Sequence, residues 1–149
     1  MKYMGSKSRI AKYIVPIIQS FIDKSGATEY YEPMVGGGNI IDKIKCFSRV
    51  GFDANKYLIA LLSRVALDGS LADSVSKEEY DKVRDFYNGT SKQTYPDWYV
   101  GNVGFLASYN GRFFDGVMPS RDMKKQRMES AIETIIRNAR EILRNRLKV

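Results

Sequence analysis

The sequence predicts an α/β chain in which a strand, a glycine loop, a helix and a second strand lead into a mostly helical region. Three observations carry that prediction. Short runs rich in Thr, Tyr and Val at residues 28–32 and 49–53 alternate with longer stretches of helical apolar spacing. Three successive glycines, Gly36, Gly37 and Gly38, follow the first short run almost at once. Beyond about Ser70 the pattern turns helical and polar.

Each element follows from local chemistry. Residues 11–22 place Ile14, Val15, Ile17, Ile18, Phe21 and Ile22 at helical spacing, with Pro16 in their midst and Gly26 beyond them. A helix kinked at Pro16 or starting late, and stopped near Gly26, is expected. Residues 28–32 read as a strand running into Pro33, Met34, Val35 and the glycines, and 39–47 return to helical spacing through Ile40, Ile41, Ile44 and Phe47. A second strand at 49–53 and a strongly apolar helix at 55–67 complete the unit. Ser76 and Glu79 have the spacing of a capping box in front of a helix over 80–87, and 88–91, Asn-Gly-Thr-Ser, read as a turn. Between 95 and 110 Tyr95, Trp98, Tyr99, Phe105 and Tyr109 crowd together, a concentration that more often builds core than site. From Met128 onward Ile132, Ile135, Ile136, Ala139, Ile142, Leu143 and Leu147 fall on one face of a long terminal amphipathic helix. The expected divisions are therefore 1–69, a helical region over 70–118, and a terminal helix over 119–149.

Composition narrows the functional classes. With 149 residues, 44% hydrophobic and 28% charged, the chain suits one folded unit. Its formal charge of +7 favours an anionic partner, nucleic acid or an acidic membrane surface, although a plain basic soluble domain satisfies the same count. The absence of His and the single Cys46 exclude a Ser/His or Cys/His nucleophile, an internal disulfide and a typical zinc site. The opening MKYMGSKSRI lacks the apolar core of a secretory signal, and no run approaches the length of a membrane span, so a cytoplasmic protein with no membrane or metal partner is expected.

The stretch richest in chemistry is Glu32-Pro33-Met34-Val35-Gly36-Gly37-Gly38-Asn39. Glycines leaving a strand let a ligand approach the backbone before the next element starts. Asp53 follows 17 residues after Gly36, at the end of the second strand, where a carboxylate can accept hydrogen bonds from two ribose hydroxyls. Alone, the glycines more often mark a simple tight turn; strand context and Asp53 turn the balance to nucleoside binding.

At this point the chain resembles the Dam-type (D12 class) family of DNA adenine-N6 methyltransferases. That family's nucleotide motif reads Glu-Pro-aromatic-Val-Gly-Gly-Gly, matched by 32–38 with Met34 in place of the aromatic. Its opening Lys-aromatic-x-Gly-x-Lys element is matched by Lys2, Tyr3, Gly5 and Lys7, and its Asp-x-Asn signature by Asp53 and Asn55. The Tyr-Asn-Gly segment of its target-recognition region is matched by Tyr109, Asn110 and Gly111. The resemblance implies an incomplete Rossmann-like, S-adenosylmethionine-dependent methyltransferase core carrying a mostly helical target-recognition insert. It implies a cofactor site of Tyr3, Lys7, Glu32, Pro33, Met34, Gly36, Gly38 and Asp53, with Tyr3 and Lys7 near the methionine portion. On the DNA side it implies Tyr109, Asn110, Arg112 and Arg121 against double-stranded DNA, Tyr109 stacking and Asn110 hydrogen-bonding where a base has been extruded. A frayed basic N-terminus, a buried Tyr109 and an ordinary Asn110-Gly111 turn are the plain alternatives.

The family's Asp-Pro-Pro-Tyr motif, which grips the adenine amino group, has no counterpart: Pro16, Pro33, Pro96 and Pro119 are never adjacent. The expectation is a truncated chain with no catalytic residue of its own, inactive alone, whose first strand keeps an open edge. A complementary methyltransferase fragment or a second copy would then be its partner. The alternative is a non-catalytic remnant binding DNA or cofactor, as a regulator or an interaction subunit.

Overall fold

The computed structural model describes residues 3–67, 71–72 and 74–117. The expected terminal helix over 119–149 and Arg121 lie outside the described residues. Helix α1 spans Ser8–Ser25, strand β1 Glu29–Glu32, strand β2 Ser48–Gly51, α2 Lys56–Leu67, α3 Lys77–Tyr87 and α4 Asp97–Gly101. A π-helical turn, Asn102–Leu106, and a 3₁₀ turn, Tyr109–Gly111, close the described chain.

α1 starts earlier than Pro16 and passes through it. Proline removes one backbone bond and crowds the preceding turn, at roughly 3 kcal/mol in a helix interior. Burial on the other side opposes that cost: Ala11, with Ile14, Val15, Ile18 and Ile22 around it, packs on Ile40, Ile44 and Tyr30. The helix ends where expected, on Gly26 at φ +67°, whose N–H donates to the Ile22 carbonyl at 3.0 Å. Its opposite side leaves Ile10, Tyr13, Ile17 and Phe21 exposed.

β1 and β2 pair in parallel, Tyr30 opposite Arg49 and Tyr31 opposite Val50. Pairing continues past the strands through Phe52 N–H to the Glu32 carbonyl at 2.8 Å and Val35 N–H to the Phe52 carbonyl at 2.7 Å. Among the described residues these two strands are the whole sheet. Tyr30 faces the α1 cluster, whereas Tyr31, Val50 and Phe52 are exposed, with the Tyr31 and Phe52 rings stacked at 6.3 Å.

The helix expected over 39–47 is absent; the connection between the strands is a series of turns. Side chains from elsewhere take the backbone groups that a helix would have paired. Glu32 accepts from Ile41 N–H, Arg49 donates to the Ile41 and Ile44 carbonyls, and Gln19 both donates to the Lys45 carbonyl and accepts from its N–H. Ile40 and Ile44 are still buried while Phe47 is exposed, so the apolar spacing marked burial at part of the segment rather than a helix.

α3 begins on Ser76, whose hydroxyl accepts from Glu79 N–H at 3.1 Å, half of the expected box; the Glu79 carboxylate accepts from the Tyr99 hydroxyl. The turn after α3 forms as expected, with Gly89 at φ +73°. α2, α3, α4 and the π turn share one core: Leu58, Leu61, Val65, Tyr80, Val83, Val100, Val103 and Leu106 are buried together. Tyr95, Tyr99 and Phe113 pack against it, as a core reading of the aromatic run requires. α2 thus packs with the elements after Ser70 rather than with the sheet's α1 cluster.

Candidate functional site

The parallel pairing of β1 and β2 carries the two strand ends to one place. The β1 end leads into the glycine loop and the β2 end into Asp53. Gly36 takes φ +51° and Gly38 φ +73°, conformations that disfavour any side chain. The Gly36 N–H donates to Asp53 Oδ2 at 3.0 Å and the Asn55 N–H to Oδ1 at 3.0 Å. Each carboxylate oxygen retains acceptor capacity, and Asp53 is half-buried, so both oxygens can accept from hydroxyl donors. Asn55 in turn starts α2, its side-chain oxygen accepting from Tyr57 and Leu58 N–H.

The N-terminal arm lies over this loop. A Cβ built on Gly36 would stand 3.3 Å from the Tyr3 ring. The same ring meets Phe105 at a centroid distance of 5.6 Å. Burial, and secondarily the Asp53 charge, raise the Tyr3 hydroxyl above its ordinary pKa of 10.0. The Lys7 ammonium donates to the Met34 carbonyl and stands 3.3 Å from Glu32 Oε1, as an ion pair rather than an aligned hydrogen bond. Glu32 is 5% exposed, and its other oxygen accepts from Ile41 N–H at 2.9 Å. Burial pushes the Glu32 carboxyl above its ordinary 4.5, against the opposing pull of Lys7 and of Ile41 N–H. Asn39, also buried, donates to the Ser6 hydroxyl at 3.0 Å, a second tie between arm and loop.

The structure therefore brings Tyr3, Lys7, Glu32, Gly36, Gly38 and Asp53 into one cluster. Lys7 and Glu32 engage each other and the loop backbone, while the Pro33 and Met34 side chains point outward, Met34 74% exposed. Ser6 and Asn39 belong to the same cluster, and the sequence reading, which carried the glycine stretch as far as Asn39, gave neither of them a role. Neither residue type at a loop position signals a partner 33 residues away.

Of the residues assigned to DNA, Tyr109, Asn110 and Arg112 sit on a second loop. Tyr109 is 59% exposed, which removes the buried-aromatic reading. Asn110 is exposed at φ +54°, and a turn at Asn110-Gly111 does form. Arg112 is exposed and paired with Asp115 at 3.1 Å. The two loops connect through a chain of rings, Tyr3 to Phe105 and Phe105 to Phe113 at 4.6 Å.

Among the described residues no group of three or more His, Cys, Asp or Glu is placed to hold a metal ion, and no helix is long and apolar enough to cross a membrane. Searches of curated proteins and of solved structures find no match to this chain. A family model described as D12 class N6 adenine-specific DNA methyltransferase matches residues 3–148, and the chain belongs to that family.

Proposed function

We propose that this chain binds S-adenosylmethionine at the glycine loop and duplex DNA at the Tyr109 loop, as part of a Rossmann-like, site-specific DNA adenine-N6 methyltransferase. The observation that carries the reading is the Asp53 carboxylate bonded to the Gly36 amide at the ends of two parallel strands. Such a carboxylate suits a ribose diol, and left-handed glycines beside it suit close approach by a nucleoside. The chemistry of the residues fits the cofactor: acceptors for the ribose, a partly buried ring at Tyr3, and a carboxylate at Glu32 that Lys7 balances. When bound, S-adenosylmethionine supplies an electrophilic methyl group. Tyr3, Lys7 and the loop hold and orient it, and Met34, through its carbonyl, fixes Lys7 in place.

The Asp-Pro-Pro-Tyr segment expected to grip adenine is not among these 149 residues. The proposal for these residues is accordingly binding of the cofactor and of duplex DNA. Calorimetric titration with S-adenosylmethionine tests the cofactor half. Saturable binding is expected, weakened at least tenfold by Asp53→Asn, because a charge-assisted bond contributes about 1.5–3 kcal/mol and 1.4 kcal/mol is tenfold. No binding by the unsubstituted chain, or full affinity in Asp53→Asn, overturns this site.

A further inference from the structure

We propose that Ser108 is the positioning residue for the DNA contact made by Tyr109, acting through a buried hydroxyl pair with Tyr80; the inference rests on the DNA reading above. Ser108 is 0% exposed and directly precedes the exposed Tyr109. Its Oγ lies 3.0 Å from the Tyr80 hydroxyl, on α3, and accepts from the Phe114 N–H at 3.1 Å. One oxygen thus ties the start of the loop to its far side and to the helical core at once.

The loop needs such a tie. Asn110 and Phe114 both adopt positive φ, +54° and +56°. Backbone conformations of this kind are disfavoured for non-glycine residues and persist only where the surroundings impose them. The imposed contacts are on view. Tyr109 N–H donates to the Gly116 carbonyl at 2.8 Å, Ser108 bridges Val117, and Gly111 N–H reaches the Ser108 carbonyl at 3.2 Å. Phe113 sits against Gly104, where a Cβ would collide with its ring, and Phe114 packs edge-on to Tyr80 at 5.6 Å. These contacts anchor the inner side of 108–117, and Tyr109, Asn110 and Arg112, with Asp115 and Gly116, are what it presents outward.

A ring, an amide and a guanidinium held on an anchored turn suit a duplex from which one base has been displaced. An aromatic fixed in advance loses less conformational freedom on binding than one on a free loop. Deleting the Ser108 hydroxyl leaves the Tyr80 hydroxyl without its partner inside the core and the Phe114 N–H with only the Gly104 carbonyl at 3.3 Å, which loosens the turn rather than removing any group that touches DNA.

The test is a double-mutant cycle on a fluorescent duplex oligonucleotide at low salt. Ser108→Ala is expected to weaken binding about tenfold, equivalent to 1.4 kcal/mol, with an unchanged far-ultraviolet spectrum. Tyr80→Phe, which keeps the Ser108–Phe114 bond, should weaken it less. In a Tyr109→Ala background Ser108→Ala should cost nothing further, because its effect runs through that ring. Undiminished binding by Ser108→Ala, or an equal loss in both backgrounds, overturns the inference while leaving the DNA reading intact. Should Ser108→Ala fail to fold, Tyr80→Phe carries the same cycle. No duplex binding by the unsubstituted chain overturns the DNA reading and this inference with it.

Discussion

At the residue scale, Glu32 shows how one buried carboxylate couples to pH. Burial raises it, and Lys7 and the Ile41 N–H only partly offset that rise. A carboxyl raised in the folded chain binds its proton more readily folded than unfolded. Its favourable contribution is therefore complete below its ordinary value of 4.5 and is lost as pH rises through the higher folded value. Glu32→Gln mimics the protonated form and keeps an acceptor for Ile41. It should be more stable than the unsubstituted chain at pH 7, with the difference shrinking as the pH falls through the raised folded value towards 4.5, as read from urea midpoints. A difference that grows on acidification would mean that the Lys7 ion pair outweighs burial.

At the scale of elements, close helix contact decides more than propensity does. α4 crosses α2 at Gly101, where a Cβ would fall inside contact distance of the Tyr57 carbonyl oxygen and 3.0 Å from Leu61 Cβ. Alanine gains about 1 kcal/mol over glycine at an open helical position. Overpacking against backbone costs about 1–3 kcal/mol. Because the clash is with backbone, Gly101→Ala should lower stability, by up to roughly 2 kcal/mol as the balance of those two figures. A raised urea midpoint would show that the α2–α4 contact yields. The same priority of packing over propensity explains why α1 runs through Pro16 and why residues 39–47 form turns.

At the scale of the whole molecule, Tyr3 joins parts that otherwise pack separately. The described core falls into two clusters, one under α1 and one among α2, α3 and α4. The Tyr3 ring packs against the second while covering the glycine loop, which sits beside the first. Tyr3→Ala should destabilise the chain by about 1–3 kcal/mol, less than the 3–5 typical of a fully buried aromatic, because this ring is only half-buried. Thermal melts should broaden as the clusters lose a shared contact. An unchanged melt would reduce the arm to an appendage of the loop.

The sequence alone determined the strands, the glycine loop and Asp53, because each depends on local pattern: short β-rich runs, left-handed glycines, a carboxylate at a strand end. It also marked Gly26, the Ser76 cap and the turn at Gly89, whose chemistry acts within a few residues. Tertiary structure decided the rest. Apolar spacing at Ile40 and Ile44 did not distinguish a helix from buried turns, since the groups that pair the backbone there, Gln19 and Arg49, come from other elements. Nor did any local rule show that Lys7 would be taken up by Glu32 and Met34, or that Ser108 would meet Tyr80. Those pairings depend on where the folded chain brings residues distant in sequence, which the three-dimensional packing sets and the order of residues leaves implicit.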